Sequence, residues 1–232
     1  MVKVLLLNLC FGGSSMSRFL LGIPVLALIL CGCDDHTSPV SQLHHSSKAP
    51  PVISVVPVID NTKHSYEWNL SDELSSALYA QLSERDHVRL INSSRVRAKT
   101  QPLLEKNNPF DTDISWVKKA FQDEEFVVFL ELVEHEEVAK QKGTDPSVSP
   151  AELRMSMRVR VIDVREKEPR VVLQELIHDH HEIHPQFNQA NFYQVAWKDQ
   201  SFNISPMGLA HAKFTKEIAK RIDDYILFAL NK

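Results

Sequence analysis

Leu153, Met155, Met157, Val159 and Val161 alternate without a break with Arg154, Ser156, Arg158 and Arg160. Side chains of a strand point to opposite faces in turn, so this stretch reads as a β-strand with one apolar face. The other face is a row of guanidinium groups. Glu166-Lys167-Glu168-Pro169 is a turn, and Arg170 to about His181 is expected to return as the partner strand. A chain committed to this hairpin must build a sheet and cover one side of it.

The remaining periods supply the rest of that sheet and its cover. Val52 to Ile59 is a β-branched run broken by Pro57, ending at a turn over Asp60-Asn61-Thr62. Leu70, Leu74, Ala77, Leu78 and Leu82 recur at helical spacing, with Ser71 expected as N-cap and Asp72 and Glu73 in the first turn. His87 to Asn92 reads as a second strand, and a short helix is expected to bring Ile114, Val117 and Phe121 together. Phe126 to Val133, apolar apart from Glu131 and of strand length, is expected to lie centrally, buried on both faces. Phe214, Ile218, Ile222, Tyr225, Ile226 and Ala229 share one side of a last helix that opens at Ser205-Pro206. The expected class is α+β: a two-layer mixed sheet with helices on one face, in the order β-α-β-α-β-β-β-α. Residues 52–232 are read as one such domain.

The N-terminus carries an address. After Met16-Ser17-Arg18, Phe19 to Leu30 is apolar and Leu30-Cys31-Gly32-Cys33 follows. A basic start, a short apolar run and a small residue form a secretory signal. Twelve helical residues rise ~18 Å against a bilayer core of about 30 Å, so the run does not span a membrane. Leu30-Cys31-Gly32-Cys33 resembles the lipobox of bacterial lipoproteins. That resemblance implies cleavage after residue 32, a diacylglycerol on the Cys33 sulfur and an acyl chain on its new amine, with no other cofactor. Residues 1–15 precede a complete signal, so Met16 is read as the true start. Asp34 at the next position resembles the enteric signal for retention at the inner membrane, on the periplasmic side. Residues 33–51 are polar and proline-rich and read as a lipidated tether with a reach of ~50 Å.

Composition narrows the function. Residues 1–32 contain Lys3 and Arg18 but no acid, so the mature chain holds 24 basic residues against 30 acidic ones. An acidic chain without a basic block is a poor match for nucleic acid. Beyond the leader the only glycines are Gly143 and Gly208, too few and too far apart for a phosphate-cradling loop. The cysteines are Cys10, Cys31 and Cys33, so the mature chain keeps one, the expected lipid acceptor. No disulfide is then available and the core alone must hold the fold.

Val55-Val56-Pro57-Val58-Ile59-Asp60-Asn61-Thr62, Leu70-Ser71-Asp72-Glu73-Leu74 and His87-Val88-Arg89-Leu90-Ile91 together resemble a periplasmic module. It is similar to the domain of penicillin-binding-protein activator lipoproteins, of the curli-secretion lipoprotein and of the TolB N-terminal domain. The resemblance implies a non-enzymatic accessory or binding module for an envelope protein complex. It offers as an alternative a protomer of a ring-forming secretion or envelope channel, which would self-associate.

Three groups of residues bear on chemistry. His178 and His180 fall on one face of a strand and could hold Zn²⁺ or Cu²⁺, with Asp179 or His184 near. No third ligand site stands out elsewhere, so the cluster reads as a solvated strand end and not as a metal site. The row Arg154, Arg158 and Arg160 reads as a solvated sheet face balanced by Glu168 and Glu175, with a partner-binding surface as the alternative. The segment 187–203 carries Phe187, Phe192, Tyr193, Trp197 and Phe202. It is expected to pack under the last helix, with Trp197 and Tyr193 as the alternative partner anchors. Glu131, Glu134, Glu136 and Glu137 flank a buried strand and read as solvating its end, not as a catalytic pair.

Overall fold

The computed structural model describes residues 49–63, 66–145, 149–184 and 196–232. The signal segment, Met16, Cys33 and most of the tether lie outside the described residues, as do Phe187, Phe192 and Tyr193.

Eight of the elements follow from the periods above. Strand β1 is Val52–Val55, β2 is Ile59–Asp60, β3 is Arg89–Leu90, β4 is Phe126–Ala139, β5 is Ala151–Asp163 and β6 is Arg170–Ile183. Helix α1 is Leu70–Ser83, α2 is Ser93–Leu104, α3 is Ser115–Ala120 and α4 is Pro206–Leu230. The six strands form one mixed, open sheet in the order β3-β1-β4-β5-β6, with β2 also on β4. β1 runs parallel to both β3 and β4, and β4, β5 and β6 are successive antiparallel neighbours. Pro57 has no N–H to give the ladder, so the first apolar run splits there. β1 pairs Ile53 with Phe126, and β2 rejoins the same strand farther along at Glu131.

β4 is longer than its apolar run. A bulge between Leu132 and Glu134 absorbs Val133, which turns outward, and the strand continues to Ala139. The bulge resets the alternation, so His135 and not Glu134 faces the core.

The sheet buries both sides, unequally. On one side Ile53, Val55, Phe126, Val128, Leu130, Met155, Met157 and Val159 lie beneath Leu74 and Leu78 of α1 and Phe214, Ile218 and Ile222 of α4. Burying one such side chain contributes roughly 1.5–3 kcal/mol, so these two helices carry most of the cover expected from sequence. On the reverse side a smaller cluster joins Val127, Phe129, Ile162 and Val164 to Val96 of α2 and to Val117 and Phe121 beside α3. Among the described residues, the reverse side is therefore covered at one end of the sheet and open along the distal halves of β4, β5 and β6. Among the described residues no helix is long and apolar enough to cross a membrane.

The helix ends differ in detail from the expected caps. α1 is capped by Asn69, whose side chain accepts from the backbone N–H of Asp72 at 2.9 Å. Ser71, the expected cap, instead donates its hydroxyl to the Val58 carbonyl and fastens α1 to the chain before β2. α4 starts as expected: Ser205 Oγ accepts from Gly208 N–H at 3.0 Å and Pro206 occupies the first turn.

Candidate functional site

The densest polar chemistry of the domain is buried. Tyr66 Oη lies 2.9 Å from His135 Nδ1, and His135 Nε2 lies 2.7 Å from His211 Nε2. His211 Nδ1 lies 2.5 Å from Glu73 Oε1, and Trp68 Nε1 donates to Glu73 Oε2 at 2.7 Å. Glu73, His135 and His211 are 3%, 1% and 2% exposed. The chain of bonds runs from the segment before α1 through β4 and α4 back to α1. Phe202, from the 3₁₀ turn Phe202–Ile204 ahead of α4, meets Trp68 edge-on and lies tilted beside His211.

Donor and acceptor counting constrains the protons along this chain. The Trp68 indole can only donate, and the carboxylate takes that bond and a second from His211 Nδ1–H. One proton then lies between the two Nε2 atoms, and His135 Nδ1 meets the Tyr66 hydroxyl. Burial, followed by the charges of Glu137, Glu73 and Asp60, pushes the Tyr66 phenol well above its ordinary range. Tyr66 therefore keeps its hydroxyl proton, and the arrangement ties α1, β4 and α4 together.

Of the residues expected to form a partner surface, Arg154 and Arg158 do lie on the open side of β5. Arg158 Nη1 is 2.7 Å from Glu131 Oε2, and Arg154 Nε is 3.5 Å from Glu152 Oε1. The acids come from β4 and from β5 itself. Glu175 faces the other side of the sheet, opposite Val159, and pairs with Arg221 of α4. Arg160 departs from the expectation. It is 5% exposed and its guanidinium donates to the carbonyls of Pro109, Phe110 and Asp111 and to Gln174 Oε1. The loop before α3 needs those donors, so Arg160 is not available to a partner.

His178 and His180 share the open face, as strand geometry requires. His178 Nδ1 is 2.7 Å from Ser156 Oγ, which donates to Glu134 Oε2 at 2.6 Å, and His180 Nδ1 is 2.9 Å from Glu152 Oε1. His184 is exposed just past β6. Among the described residues no group of three or more His, Cys, Asp or Glu side chains is placed to hold a metal ion. Trp197 is half-buried against the main core, with Lys198 Nζ 4.6 Å above its ring. Tyr193 and the lipid acceptor Cys33 lie outside the described residues.

Sequence reasoning did not single out His135 or His211. A signal for His211 was available: with Met207, Phe214 and Ile218 it stands on the apolar stripe of α4. Glu73 likewise sits on the buried side of α1 between Leu70 and Leu74. Two polar residues inside two apolar stripes require each other, because an unpaired buried charge is costly.

An open mixed sheet, with its long helices on one side and a reverse side partly uncovered among the described residues, defines an α+β domain. Residues 41–230 match the model of a family of unknown function, DUF7499, and the chain belongs to that family. No curated protein matches it. Its fold is that of a hypothetical protein, CT253, from Chlamydia trachomatis: TM-score 0.62 and 23% identity over 77% of this chain and 98% of that one. More distant similarity extends to the lipoprotein GNA1162 from Neisseria meningitidis, with TM-score 0.41 and 12% identity over 62% of this chain and 91% of that one. The C-terminal domain of LpoB from Escherichia coli is similar with TM-score 0.35 and 14% identity, over 60% and 91% of the two chains. Bacterial lipoproteins are thus among the structural neighbours.

Proposed function

We propose that the chain is a lipid-anchored lipoprotein of the bacterial envelope whose domain is a non-enzymatic binding module for an envelope protein complex. The observation that carries this reading is Leu30-Cys31-Gly32-Cys33, placed after a short apolar run and before a polar tether. Cys33 bears the lipid, and Asp34 favours retention at the periplasmic side of the inner membrane. The partner surface is the open face of β4, β5 and β6. Glu136, Arg154 and His180 lie in one cross-strand row there, and Glu131, Arg158 and Leu176 in another. Charges of both signs with exposed Val133 and Leu176 between them suit a specific protein contact better than a polyanion.

Crosslinking of the tagged lipoprotein in living cells, compared with Cys33→Ala and Arg158→Glu forms, tests this. One enriched envelope protein, lost in both variants, is expected. A ladder of self-crosslinked multiples without a foreign protein would overturn the reading in favour of a ring-forming protomer.

A further inference from the structure

A cavity of about 410 Å³ lies between β6 and α4 on the side of the sheet away from the proposed partner face. That volume is within the usual range for a small-ligand site. Ile177 and Phe214, both buried, supply its apolar lining. Arg85, Lys213, Lys216 and Lys220 bring four cations to it, against the carboxylates of Asp179 and Glu217.

The polar atoms of this cavity are unevenly satisfied. Lys213 Nζ takes Asp179 Oδ1 at 2.8 Å, Lys220 Nζ takes Asp224 at 2.6 Å, and Glu217 is answered by Arg221 at 3.0 Å. Lys216 has no ion pair among the described residues. Arg85 pairs with Asp223 at 3.8 Å, and its Nε, buried although the side chain is 36% exposed, has no hydrogen-bond acceptor. Asp179 Oδ2 is a buried acceptor without a hydrogen-bond donor. An unfilled donor and an unfilled acceptor line one cavity, and a single ligand with complementary groups satisfies both.

That ligand needs an anionic acceptor for Arg85 and Lys216, a hydroxyl to donate to Asp179, and a short apolar stem to lie on Ile177 and Phe214. We infer that the cavity binds a phosphoryl group bearing hydroxyls, the chemistry of a glycerophosphate headgroup. An anionic phospholipid is its source. The choice of a lipid rests on the lipid-anchored reading, because a tethered domain is held close to the membrane surface; the chemistry of the cavity does not depend on it.

The test uses the mature chain with Cys33→Ala, followed by amide NMR during separate titrations. The probes are dihexanoyl phosphatidylglycerol, dihexanoyl phosphatidylcholine, which lacks the hydroxyls and net charge, and inorganic phosphate. Saturable shifts confined to residues 177–179 and 213–220 are expected with phosphatidylglycerol and not with phosphatidylcholine. Arg85→Gln and Lys216→Gln should each weaken that binding about tenfold, the scale of one charge-assisted hydrogen bond, with an unchanged melting temperature. No saturable shift, or shifts indifferent to both substitutions, would overturn the site. Phosphate binding as tightly as phosphatidylglycerol would overturn the headgroup assignment. Incorporation of labelled palmitate into the native chain reads the anchor separately, so failure of one conclusion is distinguishable from failure of the other.

Discussion

His135 and His211 face each other through their Nε2 atoms at 2.7 Å, so one proton serves both rings. Whichever ring holds it, the partner must be neutral at that nitrogen. The outer nitrogens are tied to Tyr66 and Glu73, and the state of either end is therefore felt at the other.

Glu73→Gln keeps the shape and removes the charge at the head of this chain. Each oxygen of Glu73 takes one donor, His211 at Oε1 and Trp68 at Oε2, and Gln replaces one of them with an NH₂ that cannot accept. A loss of about 2–3 kcal/mol in urea unfolding is expected, with the fold retained. A loss below about 0.5 kcal/mol would show that the bonds are not coupled to stability.

Tyr66→Phe and His135→Leu probe the far end as a pair. Tyr66→Phe removes one buried donor and should cost about 1 kcal/mol, whereas His135→Leu strands both Tyr66 and His211. The double variant should cost less than the sum of the singles, by about 0.5–2 kcal/mol in a double-mutant cycle. Strict additivity would argue against a continuous chain.

Asp163 gives the pH dependence. It is 2% exposed at the end of β5, and accepts from Arg165 Nη2 at 2.7 Å and from Arg170 Nη2 at 3.2 Å. Burial alone would raise its carboxyl, but the bonds from Arg165 and Arg170 outweigh this and hold it below the usual carboxylate range. A folded value below the unfolded one means that Asp163 stabilises the domain above the ordinary Asp range. That contribution is lost as pH falls through the folded value. Melting temperatures from pH 7 to pH 3 should fall less steeply for Asp163→Asn than for the native chain, although the variant starts lower at pH 7.

Gly208 lies in the first turn of α4, where a Cβ would sit 2.0 Å from the Phe202 carbonyl oxygen. That atom is backbone and cannot swing away. Gly208→Ala is expected to cost about 3 kcal/mol and to disturb Phe202 over the histidine pair, visible as lost dispersion of aromatic proton signals. An unchanged spectrum would mean that the turn before α4 can shift freely.

The long elements were legible because each satisfies a local period. The alternation from Leu153 to Val161 lies within β5, the Leu70–Leu82 stripe is α1, and Ser205-Pro206 opens α4. α2 was not legible. It buries only Val96 and Thr100, carries Pro102 in its last turn, and is held by the Asn92 cap and the reverse side of the sheet rather than by an apolar stripe. The histidine pair was illegible for a different reason. Its partners stand 76 positions apart, and Glu73 stands 138 from His211. The bulge after Leu132 also moves His135 to the side of the strand that simple alternation assigns to Glu134. Arg160 shares its parity with Arg154 and Arg158, yet the carbonyls of a loop 49 to 51 residues away take its guanidinium, while Arg158 meets that loop through the Phe110 ring at 5.3 Å.

β1 is the first strand of the domain and lies between two parallel neighbours, bonded to β3 at Val52–Arg89 and to β4 at Ile53–Phe126 through Val55–Val128. Any force drawn along the N-terminal tether enters the domain through that strand. Withdrawing it means sliding β1 against both ladders at once, so the bonds are loaded in shear and share the force. A strand at an edge or a terminal helix would instead peel away one contact at a time. The domain is built to be pulled from the end by which it is expected to be anchored.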